Sequence, residues 1–408
     1  MTSDQGDVTH KLIYRAYKTE LRLNNKKRTL FKQCAGLARF AYNWGLRQKM
    51  DAYEATGKRP SYTVLNRSLN ALKKSEFAWI YNYSSCIPQE ALLDLERAFQ
   101  NYFRQIRNGE KAGPPRFKSR KQGVGSFRLK GCIRVEANRI KLPKLGWFRL
   151  KEKGYLPLNN VKILWATISE RAGRWFVSLQ VQEAIRVKTS SGPGIGIDLG
   201  ISSLATCSNG ITFANPLALQ RALKKLARLN RELFRRQKGS CNRQKTRQKL
   251  ARLHYRIACI RRDAIHQVTS AIIAKTKSEA QRPAVVVLED LNVAGLIRNR
   301  KVARAISDVG LGQFRQQIAY KCDWYGSHLH LADRWFASSK QCSRCGHVKE
   351  KLSLSQRIYQ CSLCGLILDR DLNAARNLAL LTVEVTNTTA SPVEGEACGD
   401  TAQWSAFG

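Results

Sequence analysis

The sequence predicts a multidomain protein of mixed α+β and α/β class: an N-terminal β domain with a helical insertion, then an α/β domain with a cysteine-rich insertion. Three observations predict this class. Strand-like runs in residues 11–23 and 126–182 flank a helical stretch. A Ser/Gly/Pro linker at 190–194 precedes two apolar runs, GIGID and VVVLE, that are typical of buried strands. Four cysteines then form two Cys-x2-Cys pairs.

The charge balance indicates a polyanionic partner. The 408 residues include 71 Lys and Arg against 30 Asp and Glu, which leaves a formal charge of +41 at pH 7. Such self-repulsion destabilises a folded chain unless a polyanion offsets it, so nucleic acid is the expected partner and a small neutral metabolite is not. Because the hydrophobic fraction of 43% is ordinary, sizeable cores and two or three domains are expected.

The chain shows no pattern of export or membrane insertion. It has no run of 18 apolar residues, and its first eleven residues include Asp4 and Asp7 without an apolar stretch. We therefore expect no membrane partner and an intracellular, reducing compartment. There, eight of the 12 cysteines are scattered singly, as inert thiols are, and the remaining four cluster as metal ligands do.

The N-terminal half alternates between strand and helix patterns. Residues 11–23 alternate loosely between apolar and polar side chains, as a half-buried strand does. Apolar residues then recur every three to four positions from Leu30 to Leu46, and a second helix follows Pro88. Short β-rich runs from 126 to 182 indicate a small barrel or sandwich. The predicted boundaries are 1–23 and 112–190 for the β domain and 24–111 for the inserted helical domain.

The C-terminal half combines long helices with buried strands. Helices are predicted from Pro216 to Gln237 and from Asn242 to Lys277, followed by the strands AVVVLED and HLHLADRWF. No Lys or Arg follows Arg376, and the last residues are rich in Thr, Ser, Gly and Ala, which favours disorder. The predicted boundaries are 191–381 for the α/β domain, 340–366 for its cysteine-rich insertion, and 382–408 for a disordered tail.

Basic residues concentrate in two segments. The run RFKSRK after a Gly-Pro-Pro break supplies four cations, and residues 221–262 contain sixteen Lys or Arg against one acid, Glu232. This excess exceeds that of an ordinary solvated helix face and predicts contacts with phosphates. The candidate nucleic-acid-binding residues are Arg116, Lys118, Arg120, Lys121, Lys224, Lys225, Arg228, Arg235 and Arg236.

The clustered cysteines have the spacing of a zinc site. Fifteen residues separate the two Cys-x2-Cys pairs, and a glycine after each pair permits the backbone to fold back beneath a metal. Four thiolates would close a tetrahedral site without an open position for water, so the predicted Zn2+ is structural. Two redox pairs or chance clustering are the alternatives, which the doubled motif disfavours. The candidate ligands are Cys342, Cys345, Cys361 and Cys364.

Carboxylates lie at the ends of two predicted strands and just before a predicted helix. Asp198 ends the strand GIGID, and either Glu289 or Asp290 at the end of VVVLED is a candidate, because strand neighbours point to opposite faces. Asp369 and Asp371 precede a plausible helix, where capping is the alternative role of each. Three carboxylates that meet in space would hold two divalent ions, which suits phosphodiester cleavage in so basic a protein.

No competing chemistry emerges from the other motifs. Gly194-x-Gly196 lacks the third glycine of a dinucleotide-binding loop, and the chain contains no P-loop. GIDLG resembles the first phosphate loop of actin-like ATPases, but Asp308-Val309-Gly310 is a poor match to the second loop that this family needs. A nuclease is therefore favoured over a nucleotide-binding enzyme.

Five motifs in one order resemble the TnpB family, the RNA-guided nucleases of bacterial insertion sequences that are related to type V CRISPR effectors. They are GIDLG, VVLEDLN, SSKQCSRCG, YQCSLCG and DRDLNAARN, and the resemblance extends to AYKTEL, LARFAYNWGL and GPPRFKSRK. It implies a RuvC-like catalytic site at Asp198, Glu289 and Asp371, and so selects Glu289 over Asp290 and Asp371 over Asp369. The cysteines fall on the zinc-binding insertion of the family.

The resemblance also implies an architecture and an activity. The expected fold is an N-terminal β-barrel wedge domain with a helical recognition domain, then a RuvC-like domain of RNase H fold. The expected activity is cleavage of double-stranded DNA beside a short adjacent motif, with two Mg2+ ions and a guide RNA encoded at the element's end. A protein oligomer is not required, and the expected location is the bacterial cytoplasm, in association with the nucleoid.

Two other functions remain compatible with parts of the sequence. A family member that binds DNA through its guide and has lost cleavage would act as a repressor, but it should lack one or more of the three acids. A zinc-containing nucleic-acid binder without a guide would not copurify with a discrete RNA. Because the Asp, Glu, Asp order differs from that of cut-and-paste transposases, catalysis of transposition is not expected.

Overall fold

The computed structural model describes residues 8–274, 276–353 and 356–389. The chain divides into two compact units. The first consists of the described residues of Met1–Thr9, Val187–Lys225 and Arg256–Gly408, and the second consists of His10–Arg186 and Leu226–Tyr255. The candidate carboxylates and the cysteines all lie in the first unit, so its fold determines the site.

The second unit contains a seven-stranded sheet in the order β2-β6-β7-β1-β5-β4-β3. Its strands are β1 (Val8–Arg22), β2 (Ser126–Leu129), β3 (Arg134–Glu136), β4 (Arg139–Leu142), β5 (Gly146–Leu150), β6 (Val161–Arg171) and β7 (Arg174–Lys188). Buried and exposed residues alternate along β4 and along much of β7, which is the pattern of a half-buried strand. Within the described residues no pairing joins the edge strands β2 and β3, so the predicted barrel stays a prediction.

Three helices belong to this unit: α1 (Asn25–Thr56), α2 (Tyr62–Leu72) and α3 (Cys86–Arg107). Helices α1 and α3 contact β2 of the sheet, and α2 packs on α3. The Asn24 side chain accepts the Lys27 N–H at 2.9 Å and caps α1, which ends at Gly57 in the left-handed conformation. On the sheet side, Phe31 of α1 meets Phe148 of β5 with ring centroids 4.8 Å apart. The helices and the sheet therefore share one hydrophobic core.

Two long helices contribute residues to both units: α4 (Ala218–Arg235) and α5 (Cys241–Ile272). The end of α4 and the start of α5 belong to the second unit, where Tyr255 of α5 packs against Phe176 of β7 with centroids 5.6 Å apart. The sequence analysis assigned both helices to the α/β domain over 191–381, and that assignment stays a prediction. A helical repeat shows which face is apolar but not which distant element covers that face.

The first unit contains a five-stranded sheet in the order β10-β9-β8-β11-β12. Its strands are β8 (Ile195–Asp198), β9 (Ser203–Cys207), β10 (Thr212–Ala214), β11 (Val285–Glu289) and β12 (His328–Ala332). β11 runs parallel to β8 and to β12, whereas β9 is antiparallel to β8 and to β10. Because β8 and β11 are parallel, their carboxyl ends meet at the same edge of the sheet.

Helices and a short hairpin complete this unit. They are α6 (Val293–Arg298), α7 (Ala303–Val309), α8 (Leu311–Tyr325), the strands β13 (Ile358–Gln360) and β14 (Ile367–Asp369), and α9 (Arg370–Thr389). A Cβ atom at Gly196 of β8 would lie 2.2 Å from the Ala375 carbonyl oxygen of α9. Glycine is thus required for the close approach of α9 to the sheet, and this approach brings the start of α9 to the carboxylate edge.

Helix α9 continues through Thr389, which lies within the segment 382–408 that the sequence predicts as a disordered tail. Leu378 of this helix is fully buried against Val285 and Val287, and Leu381 packs on the same cluster. The remainder of the predicted disordered tail, residues 390–408, lies outside the described residues.

Within the described residues, every helix is too short or too polar to span a lipid bilayer.

Candidate active site and cysteine cluster

Asp198 and Glu289 end adjacent parallel strands. The register pairs Ile197 of β8 with Leu288 of β11, so the next residue of each strand is a carboxylate at the same edge. The pKa of Asp198 is raised to about 7, first by burial and then by the neighbouring carboxylates of Glu289, Asp371 and Asp369, whereas Arg370 lowers it. Asp198 therefore lies in a poorly solvated position where other carboxylates converge.

The two acids at the end of β11 have different partners. Glu289 accepts a hydrogen bond from the Ser338 hydroxyl and acts electrostatically on Asp198. Asp290 forms ion pairs with Arg315 at 2.6 Å and with Arg334 at 3.3 Å. Among the described contacts, Glu289 belongs to the carboxylate group and Asp290 to an ion-pair network, as their opposite directions along the strand require.

The two acids near the start of α9 also differ. The Asp369 carboxylate accepts the N–H groups of Asp371 and Leu372, each at 3.0 Å, and so caps the helix. The Asp371 carboxylate pairs with Arg370 at 3.4 Å, and its Oδ2 lies 4.0 Å from where a Cβ of Gly200 would be. Asp371 is thus directed to the turn after β8, and the capping role falls on Asp369.

The structure brings together the three acids that the sequence and the family resemblance selected. Hard carboxylate oxygens that converge in a strongly basic protein fit divalent cations such as Mg2+, which take oxygen ligands. A bound cation would offset the mutual repulsion that contributes to the raised pKa of Asp198. The donor set therefore suits a cation site, and the catalytic roles of the three residues remain a prediction.

The four predicted cysteines form one cluster. Their sulfur atoms all lie within 4.8 Å of one another, and Sγ of Cys342 is 3.6 Å from that of Cys364, as is Sγ of Cys345 from that of Cys361. A tetrahedron with metal–sulfur bonds of about 2.3 Å has sulfur atoms about 3.8 Å apart, so the geometry fits one metal ion. The cluster was predictable because the ligands of each pair are adjacent in sequence.

Each cysteine pair forms a tight turn. The Gly346 N–H bonds the Cys342 carbonyl at 2.9 Å, and the Gly365 N–H bonds the Cys361 carbonyl at 3.2 Å. Both glycines have positive φ angles, 76° and 68°, which other residues adopt only with strain. Beneath the cluster, Tyr359 is fully buried and its hydroxyl donates to the Lys340 carbonyl at 3.2 Å. The glycines and this tyrosine hold the sulfur atoms in place.

Comparisons with known proteins show what this chain is similar to. Family models match three segments: a "Helix-turn-helix domain" at residues 13–58, a "Probable transposase" at 176–300, and a "Cas12f1-like, TNB domain" at 312–378. A Streptomyces pristinaespiralis protein is 36% identical over 396 residues, which cover 95% of this chain and 90% of the relative. An Escherichia coli K12 protein, InsQ, is 34% identical over 384 residues, which cover 89% of this chain and 91% of the relative. The names of both propose an RNA-guided DNA endonuclease.

A mimivirus protein named TnpB-like protein L79 is 26% identical over 140 residues, which cover 34% of this chain and 26% of the relative. The chain belongs to the TnpB family. The resemblance found in the sequence motifs is thus confirmed. Among solved structures, a chain of the Cas12f1–sgRNA–target DNA complex matches with a TM-score of 0.56 at 13% identity, covering 90% of the TnpB-family chain and 99% of its own. This match shows a shared mixed α/β multidomain fold.

The predicted nucleic-acid-binding residues of the RFKSRK run lie on an exposed segment. Arg116, Arg120 and Lys121 are exposed to solvent. Lys118 is anchored: its Nζ lies 3.9 Å from the Tyr42 ring centroid, and its backbone N–H donates to Asn43 at 2.8 Å. The aromatic ring and the amide hold the segment on α1, while the other cations remain available for phosphates.

On α4 of this TnpB-family chain, the predicted Lys224, Lys225, Arg228 and Arg235 are exposed. Arg236 is half-buried and engaged within the helical pair, where it bonds Glu232 and the Asn242 carbonyl. Arg231 is also exposed, three residues after Arg228 and four before Arg235 on α4, and Lys238 is exposed in the turn that follows the helix.

Proposed function

We propose that this TnpB-family chain is the RNA-guided DNA endonuclease of an insertion sequence, and that it cleaves double-stranded DNA beside a short adjacent motif. The observation that carries the proposal is the convergence of Asp198, Glu289 and Asp371 at one edge of a sheet. The names of the two bacterial relatives, which are 36% and 34% identical to this chain over the aligned residues, support it.

The three carboxylates would hold two Mg2+ ions. Bound there, the ions supply an activated water and stabilise the leaving oxygen of the phosphodiester. Ser338 orients the Glu289 carboxylate through its hydroxyl, and Arg370 balances part of the negative charge beside Asp371. The poor solvation of Asp198 strengthens its attraction for a cation, because charges interact more strongly where water is scarce.

The partners in this proposal are a guide RNA from the element's end and the target DNA duplex. Base pairing with the guide would read the sequence, while the protein would contact backbones and duplex shape. The exposed cations of α4 and of the RFKSRK run would bind phosphates. In this assignment, the seven-stranded sheet is the β-barrel wedge domain, α1 to α3 are the recognition domain, and the cysteine cluster holds structural Zn2+.

Purified protein with its copurified RNA and Mg2+ should cut a matching duplex, and the RNA should be a discrete structured species. We expect Asp198→Ala, Glu289→Gln and Asp371→Asn each to reduce cutting at least about 100-fold while guide-directed binding persists, because each removes a metal ligand and no phosphate contact.

Asp290→Asn is the matched control for Glu289→Gln, because Asp290 is the adjacent acid and lies in ion pairs with Arg315 and Arg334. It should cut at nearly the wild-type rate. Guide-directed binding without cutting by the wild type would favour a repressor over a nuclease. Cutting that persists in Asp198→Ala would show that the carboxylate site is assigned wrongly.

A further inference from the structure

The connection between β12 and the first cysteine pair is held by two buried asparagines of α9. The Asn377 amide donates to the carbonyls of Ser338 at 2.7 Å and of Gln341 at 2.6 Å. Asn373 donates to the Gln341 carbonyl at 2.7 Å and accepts the Ser343 N–H at 3.0 Å. Because both asparagines are fully buried, these bonds are shielded from competition with water.

The same connection reaches the carboxylate site through one side chain. The Ser338 hydroxyl donates to Oε1 of Glu289, and Ser338 is only 2% exposed. A hydrogen bond to a carboxylate from a fixed donor restricts the rotation of that carboxylate. The backbone of the donor is in turn held by Asn377, so the orientation of Glu289 depends on α9.

The same helix has two roles at two faces. Asn373 and Asn377 are four residues apart and share one face, which holds the connection, whereas Asp371 points elsewhere, to the turn after β8. The first metal-ligating cysteine, Cys342, lies between two residues whose backbones Asn373 holds. A single rigid helix thus relates the cysteine cluster to two of the three carboxylates.

We propose that Ser338 and Asn377 are positioning residues for Glu289, and that through them the cysteine cluster helps to set the geometry of the carboxylate site. The expected effect on DNA cutting rests on the proposed function. The expected effect on cation binding does not, because it can be measured without a nucleic-acid substrate. Neither residue is assigned contact with the substrate.

The test compares Ser338→Ala with Ser339→Ala, its less buried neighbour, as the matched control. Mn2+ binding to the full-length protein without DNA is measured from the electron paramagnetic resonance of the free ion, and cutting is titrated with Mg2+. We expect Ser338→Ala to weaken Mn2+ binding and to raise the Mg2+ requirement about 10- to 100-fold, as loss of a hydrogen bond to a metal ligand does. Zinc content and guide-directed DNA binding should stay unchanged, and Ser339→Ala should match the wild type.

Asn377→Ala tests the route through the backbone. We expect the double variant Ser338→Ala/Asn377→Ala to bind Mn2+ no more weakly than the worse single variant, because both act on the same carboxylate. Wild-type Mn2+ affinity and Mg2+ dependence in Ser338→Ala would overturn the inference. If Ser338→Ala weakens Mn2+ binding but the wild type cuts no DNA, then the proposed function fails and the positioning role stands.

A second feature of this connection is an exposed aromatic side chain. Trp335 is 86% exposed, although the turn that carries it is well held. The Asp333 carboxylate accepts a hydrogen bond from the backbone N–H of Trp335 at 2.7 Å. The next residue, Phe336, packs on the core formed by Val285 and Val287. An indole that is exposed to solvent on a turn whose backbone is held offers a flat stacking surface.

Two neighbours of Trp335 in sequence connect its backbone to the carboxylate edge. Its neighbour Arg334 pairs with Asp290, the residue after Glu289. Ala332, three residues before Trp335, is the register partner of Glu289. Arg334 is exposed, and together Arg334 and Arg315 carry one more positive charge than the Asp290 carboxylate that they share, which complements a phosphate backbone.

We infer that Trp335 stacks on an unpaired base of the DNA strand that is presented to the carboxylates. The inference rests on the proposed function, and it specifies single-stranded DNA because a base exposes its flat face only when it leaves the duplex stack. The observation that carries it, an exposed indole three residues after the register partner of Glu289, is independent of the hydrogen bonds to Glu289.

The test compares Trp335→Ala with Trp335→Phe, which keeps an aromatic face. We expect Trp335→Ala to lower the cutting rate about 5- to 100-fold, the range for loss of one base–aromatic contact, and Trp335→Phe to stay within about threefold of the wild type. Guide–target pairing should not change, and it is measured from the permanganate reactivity of the displaced strand.

A direct readout uses target DNA with single 2-aminopurine substitutions near the cut, in Ca2+ so that cutting is suppressed. The wild type should quench one position, and Trp335→Ala should restore its fluorescence. If Trp335→Ala cuts at the wild-type rate or leaves every quenched position unchanged, then the stacking role is wrong. If the wild type itself cuts nothing while the quenching follows Trp335, the failure belongs to the proposed function.

Discussion

The raised pKa of Asp198 predicts a stability that depends on pH. At neutral pH this carboxyl is ionised in the unfolded chain. Without divalent cations, folding must therefore either place its charge in a poorly solvated position beside Glu289 and Asp371 or bind a proton there. The perturbation is Asp198→Asn, which keeps the shape of the side chain and removes its ionisation. We expect the variant to be more stable than the wild type at high pH and equal to it at low pH.

The magnitude follows from the two pKa values. The ordinary value of 3.8 rises to about 7 in the folded protein. At about 1.36 kcal/mol per pH unit, this difference corresponds to an upper estimate of about 4 kcal/mol. Because the folded pKa is raised, the wild type is unaffected below about pH 4, loses stability as the pH rises towards 7, and bears the full cost above that value.

The assay is thermal unfolding of both proteins between pH 4 and pH 9 without added Mg2+. For a unit of about 200 residues, the full difference corresponds to about 8 to 16 °C in Tm, so Asp198→Asn should melt several degrees higher at pH 8. Adding Mg2+ should raise the Tm of the wild type and have little effect on the variant. Equal Tm values at pH 8, or a difference that is independent of pH, would refute the reasoning.

Three further predictions concern other parts of the chain. Cys361→Ser should lower the zinc measured by atomic absorption from one ion per chain towards none and expose the buried Tyr359; an unchanged ion count would show that the cluster is not the metal site. Gly196→Ala should lower the Tm by several degrees, because its Cβ would lie 2.2 Å from the Ala375 carbonyl oxygen, and an unaltered melt would contradict the close approach of α9. Arg231→Ala should weaken DNA binding and reduce the slope of its salt dependence by about one, whereas binding at an unchanged slope would place Arg231 away from phosphates.

Local patterns in the sequence predicted the parts of the site that depend on nearby residues. The Cys-x2-Cys pairs predicted the sulfur cluster because two ligands of each pair share one turn. The apolar strands predicted acids at two strand ends, Asp198 at one and either Glu289 or Asp290 at the other, whereas the parallel pairing that brings Asp198 and Glu289 to one edge is seen only in the structure. The alternation along a strand also required that Glu289 and Asp290 point in opposite directions.

Residues that act through distant partners were not predictable in this way. Ser338 lies in a polar run whose sequence carries no periodic signal, and its bond to Glu289 spans 49 positions. The capping role of Asp369 and the direction of Asp371 depend on where α9 begins relative to the sheet. Sequence reasoning listed both acids as candidates, and only the family resemblance separated them.

By itself, the sequence determined that this protein is basic, that four cysteines form one cluster, and that acids end two buried strands, because these properties depend on composition and on short spacings. The tertiary structure decided which acids converge, which helix carries the third, and how Asn373 and Asn377 tie the cysteine cluster to the carboxylate site. These relations required long-range packing, since the close approach of α9 over Gly196 joins segments almost 180 residues apart.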